Sequence, residues 1–145
     1  MAEAQCPKCA HRNPEKAHYC ETCGAALVAG DRDPLLGQTV GGRYYLVELI
    51  GQGSAGVLYR AEHVTLRRRM AVKLLHKHLT QSDEAVERFR REAITVCEID
   101  NDHIPQVHDF GRTDDDRLFF AMEFLDGETL SSVLSREGRI SPERT

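Results

Sequence analysis

Tryptophan is absent from these 145 residues, and no apolar run is long enough to cross a bilayer. The amino terminus, "MAEAQCPKCAHRN", lacks the apolar core of a secretory signal. An excess of positive charge is missing too. The chain has 19 Lys and Arg against 23 Asp and Glu, a formal net charge of −4, so nothing draws it to nucleic acid or to an anionic membrane. Internal repeats and low-complexity tracts are also lacking. Together these absences lead to the expectation of a cytoplasmic protein with no membrane segment in this chain. The length suits one ordinary domain, or a small domain with an appendage.

What is present is unevenly distributed. Four of the five cysteines, Cys6, Cys9, Cys20 and Cys23, fall in the first 23 residues, and Cys97 stands alone. Their spacing is C-x2-C-x10-C-x2-C. Two tight knuckles of this kind bring four thiolates to one tetrahedral zinc ion. In a chain without an export signal, metal is favoured over disulfides, the other readings being two redox dithiols or unrelated surface cysteines. Residues 1–26 hold almost no aliphatic side chains and cannot build an apolar core unaided. Pro7 stiffens the first knuckle. Gly24 follows the second, and Ala10 stands in the corresponding place after the first. His11 and His18 are expected to be solvated. With few basic residues and a single aromatic, Tyr19, nucleic acid is the weaker partner for this segment. It resembles the short zinc ribbons found at bacterial amino termini.

Residues 27–42, "LVAGDRDPLLGQTVGG", are read as a linker, because Gly, Asp and Pro occur there with little periodicity. From Arg43 onward the pattern changes. "RYYLVELIG", "VLYRAEHV" and "MAVKLL" read as three strands, the last two joined by a polar hairpin whose Arg67, Arg68 and Arg69 are expected in solvent. "SDEAVERFRREAITVCEI" reads as a helix with Ser82 as N-cap and Asp83 and Glu84 in its first turn. Val86, Phe89, Ala93, Val96 and Cys97 recur at helical spacing, and Cys97 is expected to be buried. "VHDFGR" and "RLFFAMEFL" read as two strands around the turn "TDDD". A short helix follows from Thr129 to about Glu137, stopped by Gly138.

Three glycines, Gly51, Gly53 and Gly56, are spaced G-x-G-x-x-G. A dinucleotide site needs this motif between a strand and a helix, whereas here it lies between two strands. A strand–glycine–strand hairpin can instead fold over phosphates with its amides facing them. Lys73 follows on the next strand, sharing a face with Ala71 and Leu75. Glu92 lies on the long helix at the border of the apolar stripe, placed to reach inward to Lys73 and offset its desolvation.

These blocks carry a resemblance. Residues 43–145 resemble the N-terminal lobe, hinge and first C-lobe helix of a bacterial Hanks-type serine/threonine protein kinase. The matching stretches are "IGQGSAGVLYRA", "AVKLL", "RFRREA", "FFAMEFLDGETLSSVL" and "GRISPERT". The implied fold is α+β: a five-stranded antiparallel sheet with one long helix, behind a small zinc ribbon. The implied domains are a ribbon at 1–26, a linker at 27–42, lobe and hinge at 43–125, and the start of the C-lobe at 126–145. The resemblance implies ATP as ligand. Ile50 and Leu58 would cover the adenine with Ala71 beside them. Gly51, Gln52, Gly53, Ser54, Ala55, Gly56 and Val57 would form the phosphate cover, its tip departing from the Gly-Met common in bacterial relatives. Lys73 would contact the α- and β-phosphates, oriented by Glu92. Met122 would be the gatekeeper, the backbone of Glu123 and Leu125 would pair with the adenine edge, and Asp126 would lie near the ribose.

The family's His-Arg-Asp loop, its downstream Asn and its Asp-Phe-Gly metal motif do not occur in their places. "HDFG" at 108–111 precedes the hinge and reads as a strand. His103 and His108 belong to no catalytic motif. No base or magnesium ligand can therefore be named, and magnesium is expected only in a complete kinase. Two expectations stand: the ATP-binding part of a kinase, inactive alone and either a fragment or a truncated product, or a non-catalytic ribbon-and-lobe module that binds partners. The protein substrate is not legible.

Overall fold

The computed structural model describes residues 3–14, 17, 20, 22, 23, 27 and 33–144. His18, Tyr19 and Gly24 lie outside them. In the cysteine-rich segment, β1 (Glu3–Gln5) and β2 (Arg12–Pro14) pair antiparallel. The remaining strands are β3 (Thr39–Val40), β4 (Tyr44–Gln52), β5 (Gly56–His63), β6 (Arg69–Leu75), β7 (Val107–Arg112) and β8 (Leu118–Glu123). They form one antiparallel sheet in the order β3-β4-β5-β6-β8-β7. Helix α1 (Asp83–Glu98) packs against β7 and β8, and α2 (Leu130–Glu137) follows the last strand.

The sheet has six strands where five were expected. The additional one, β3, lies in the stretch read as a linker: Val40 pairs with Tyr44 and Thr39 with Tyr45. Just before it, Asp33 accepts hydrogen bonds from the Leu35 amide and from the buried Tyr59 hydroxyl, at 2.9 and 2.6 Å. Leu35 and Leu36 pack on the same core. A two-residue strand has no readable alternation, and its glycines serve the turn between β3 and β4: Gly41 and Gly42 have φ of +59° and +70°.

Strand alternation sorts the apolar residues onto two faces. Tyr44, Leu46, Tyr59, Ala61, Met70, Val72, Leu74, Phe119 and Ala121 form one core. Leu75, Leu118 and Phe120 face the other way and meet Phe89 and Ala93 of α1. The sheet curls, so that residues from its distant strands touch. Asp109 of β7 accepts from Arg43 and from the Tyr44 hydroxyl, both at 2.9 Å. Asp109 of "HDFG" thus ties β7 to the start of β4. Burial comes first in raising the Tyr44 hydroxyl to about 12, helped by the hydrogen bond and charge of Asp109 and opposed by Arg43.

Helix α1 begins where Ser82 Oγ accepts the Ala85 amide at 3.2 Å. Phe89 and Ala93 are its buried residues. Cys97, expected to be buried, is exposed. At about 100° per residue it lies some 80° from Phe89, near the carboxyl end of the helix, at the margin of the stripe that meets the sheet. Helix α2 starts at Thr129, whose side chain accepts from the Ser132 amide, and ends at Gly138. Among the described residues no helix is long and apolar enough to cross a membrane.

Candidate nucleotide-binding surface and cysteine cluster

Register across the sheet places the expected residues in rows. Gly51 of β4 pairs with Leu58, Leu58 with Lys73, and Lys73 with Phe120. In the adjacent row Arg60 pairs with Ala71, and Ala71 with Met122. Paired residues share a face, so Leu58, Ala71, Lys73 and Met122 lie together on the α1 side. Ile50 is the extra residue of a bulge between Leu49 and Gly51 and is exposed. A bulge re-aims the chain at the point where it enters the glycine-rich loop.

Lys73 Nζ lies 2.6 Å from Glu92 Oε1 and 5.9 Å from the Phe120 ring centre. The side chains are 23% and 43% exposed, so the pair adds at most about 1 kcal/mol to stability. Its importance is positional: the strand fixes one end of the Lys and the helix carboxylate fixes the other.

The three glycines differ. None of them has a positive φ. A Cβ on Gly56 would lie 2.1 Å from the Leu74 carbonyl oxygen, so this position is dictated by the close approach of β5 to β6. A Cβ on Gly53 meets nothing within 4 Å, and one on Gly51 makes ordinary contact with Leu58. At the loop tip, Gly53 donates to the Gly56 carbonyl at 2.9 Å. Gln52 Oε1 is buried without a hydrogen-bond partner among the described residues. Open space over Gly53 and a held ammonium at Lys73 fit a phosphate-bearing ligand, whereas the Gln52 amide oxygen, an acceptor, calls for a donor instead.

Beyond Met122 the chain lies mostly at the surface. The Glu123 amide is taken by the Gln106 carbonyl at 2.9 Å. Leu125 and Asp126 are exposed. Two surface hollows of about 430 and 300 Å³ include neither the glycine-rich loop nor Lys73. Sequence reasoning missed His76, whose ring nitrogen meets the loop at Gly53; no spacing rule singles out a residue three past a strand lysine.

The four cysteines of the amino-terminal segment converge. Their sulfur atoms all lie within 4.8 Å of one another, with Cys6–Cys23 and Cys9–Cys20 at 3.5 Å. A tetrahedral ion at about 2.3 Å from each sulfur requires sulfurs roughly 3.8 Å apart, so the cluster is the size of a metal cage. The amides of Lys8 and Thr22 point at Cys6 and Cys20 Sγ, each at 3.4 Å. Burial raises the Cys20 thiol, but the Cys23 and Thr22 amides and neighbouring thiols outweigh it and bring it down to about 6. Cys9 is lowered by the His11 amide, yet desolvation and three neighbouring sulfurs push it to about 12. Four thiols this close cannot all ionise unaided, and a divalent cation removes that conflict. Ala10, standing where the second knuckle has glycine, has φ of +60° and carries the strain of that left-handed turn. His11 is exposed and outside the cluster.

The family model for the protein kinase domain matches residues 44–145. The serine/threonine-protein kinase PknA of Mycobacterium tuberculosis is 39% identical over 112 residues, covering 74% of this chain and 26% of PknA. Pkn1 of Myxococcus xanthus is 37% identical over 131 residues, covering 90% of this chain and 18% of Pkn1. PrkC of Bacillus subtilis is 33% identical over 108 residues, covering 74% and 16%. The crystal structure of the Mycobacterium tuberculosis PknI kinase domain superposes with a TM-score of 0.56 at 30% identity, over 70% of this chain and 40% of that one. This chain therefore spans about a quarter or less of the length of these curated relatives.

Proposed function

The chain belongs to the protein kinase domain family, and from that premise we propose that it is the ATP-binding portion of a serine/threonine protein kinase, preceded by a zinc ribbon. In this reading residues 43–125 are lobe and hinge, 126–145 begin the second lobe, and 1–26 bind zinc through Cys6, Cys9, Cys20 and Cys23. The observation that carries the proposal is the 2.6 Å Lys73–Glu92 contact in the row that runs on through Leu58 to Gly51. ATP supplies the phosphoryl group in such a kinase. Lys73 holds the α- and β-phosphate charge, and Glu92 keeps its ammonium aimed. The glycine-rich loop excludes water above the phosphates, and Ile50, Leu58 and Ala71 shield the base. Met122 limits the depth of the base site, with Glu123 and Leu125 backbone on its edge and Asp126 toward the ribose. Reduced thiols and ATP both suit the cytoplasm, which is the proposed location.

Phosphoryl transfer also needs a base to position the acceptor hydroxyl and metal ligands to neutralise developing charge. The 145 residues contain neither in the family's places, so the proposed behaviour of this chain alone is weak nucleotide binding without turnover. Radiolabelled ATP with the purified chain tests both parts. The expected result is saturable binding lost in Lys73→Ala and no transfer to protein. Transfer that persists in the wild type and vanishes in Lys73→Ala overturns the inactivity. Identical binding by wild type and Lys73→Ala overturns the site.

A further inference from the structure

The glycine-rich loop is tied to the lysine strand by one residue that the reading above leaves unused. His76 follows the end of β6. Its backbone N–H donates to the Ala55 carbonyl at 3.0 Å, and its ring Nε2 lies 2.8 Å from the Gly53 carbonyl oxygen. A carbonyl only accepts, so Nε2 carries the hydrogen, in the neutral ring as in the charged one. The ring also stacks on His78, with centres 5.3 Å apart and planes 20° apart. We propose that His76 is a positioning residue for the loop, holding the Gly53 and Ala55 carbonyls toward β6.

The consequence follows from peptide planarity. In a trans peptide, C=O and N–H point in opposite directions. Holding the Gly53 and Ala55 oxygens toward His76 turns the Ser54 and Gly56 N–H groups away from it. A stretch with so few side chains is otherwise free to flip its peptides. A flip at 53–54 presents a carbonyl, negative end outward, where the amide had been. For the phosphates of a nucleotide that exchanges attraction for repulsion. This last step rests on the ATP reading, whereas the latch itself does not.

Two variants separate the donor from the ring. His76→Gln keeps a donor at about the same reach and loses the stacked ring; His76→Phe keeps the ring and loses the donor. Amide hydrogen exchange in the full 145-residue chain is read at Gly53 and His76, whose N–H groups bond across the loop. The expected result is exchange three- to tenfold faster in His76→Phe and near wild type in His76→Gln, with central β8 unchanged in both. Wild-type protection in His76→Phe, or equal loss in both variants, overturns the latch. If β8 also loosens in His76→Phe, the comparison of His76→Gln with His76→Ala at Gly53 decides, and equal exchange in those two rejects it. Titration with ATP and with adenosine then tests the consequence. His76→Phe is expected to weaken ATP severalfold and leave adenosine unchanged. If the wild-type chain binds neither, the nucleotide reading fails while the exchange data still decide the latch.

Discussion

A single methyl group separates two of the loop glycines. On Gly56 it meets the Leu74 carbonyl at 2.1 Å, while on Gly53 it meets nothing. Gly56→Ala is therefore expected to destabilise the fold by about 1–3 kcal/mol, since backbone must move to admit it. Gly53→Ala is expected to leave the thermal midpoint where it is and to weaken ATP binding. Equal midpoints for the two variants would show that β5 yields to β6 more easily than its geometry indicates. Tyr44 gives a prediction in pH. Its hydroxyl, ordinarily near 10, is raised to about 12 by burial and by Asp109. A group whose pKa is raised in the fold gives its full stability below the unfolded value and loses it as pH climbs through the folded one. Tyr44→Phe is expected to cost about 1 kcal/mol at neutral pH through the lost hydrogen bond. Denaturant melts should show that deficit narrowing between pH 10 and 12. A constant gap across that range would mean that the proton on Tyr44 is not linked to folding.

Among the elements, α1 was the most legible in sequence and shows why other parts were less so. Ser82, the acidic first turn and the Phe89–Ala93 stripe are all local signals, and the helix runs from Asp83 to Glu98 as those signals imply. Phe89→Ala should cost about 3–5 kcal/mol, because this ring packs on Phe120 and Phe110 beneath the helix, and Ser82→Ala about 1 kcal/mol. Calorimetry on both variants checks the ranking; a larger loss for the cap would mean that the helix is held by its end rather than its face. Glu92 could be placed at the rim from periodicity alone. Cys97 could not be judged that way, since periodicity gives an angle around the helix and not how far along it the sheet extends. Strand β3 was hidden because its two residues carry no alternation and its pairing depends on Tyr44 and Tyr45, already assigned to the next strand. His76 was hidden because its partner is a carbonyl, and carbonyls leave no mark in a sequence.

For the molecule as a whole, the cysteine segment and the sheet are built on different interactions. The cysteine segment has β1 paired to β2 and four converging sulfurs, whereas the sheet has two apolar cores of its own. A strong chelator is expected to release one zinc per chain and to unfold the cysteine segment while α1 and the sheet persist. Metal analysis beside amide exchange checks this; a metal-free chain with four free thiols and an unchanged fold would remove zinc from the account. The order of strands in the sheet bears on how such a chain is made. Strand β8 is inserted between β6 and β7, so the last of these six strands in chain order occupies an inner place. As the polypeptide leaves the ribosome, β3, β4, β5 and β6 all precede β8, and β6 waits for its second neighbour until residues 118–123 have emerged. During that interval the strand bearing Lys73 is an open edge, able to recruit the wrong partner. The strand that aims Lys73 at Glu92 thus has a single neighbour, β5, until β8 arrives to supply the second.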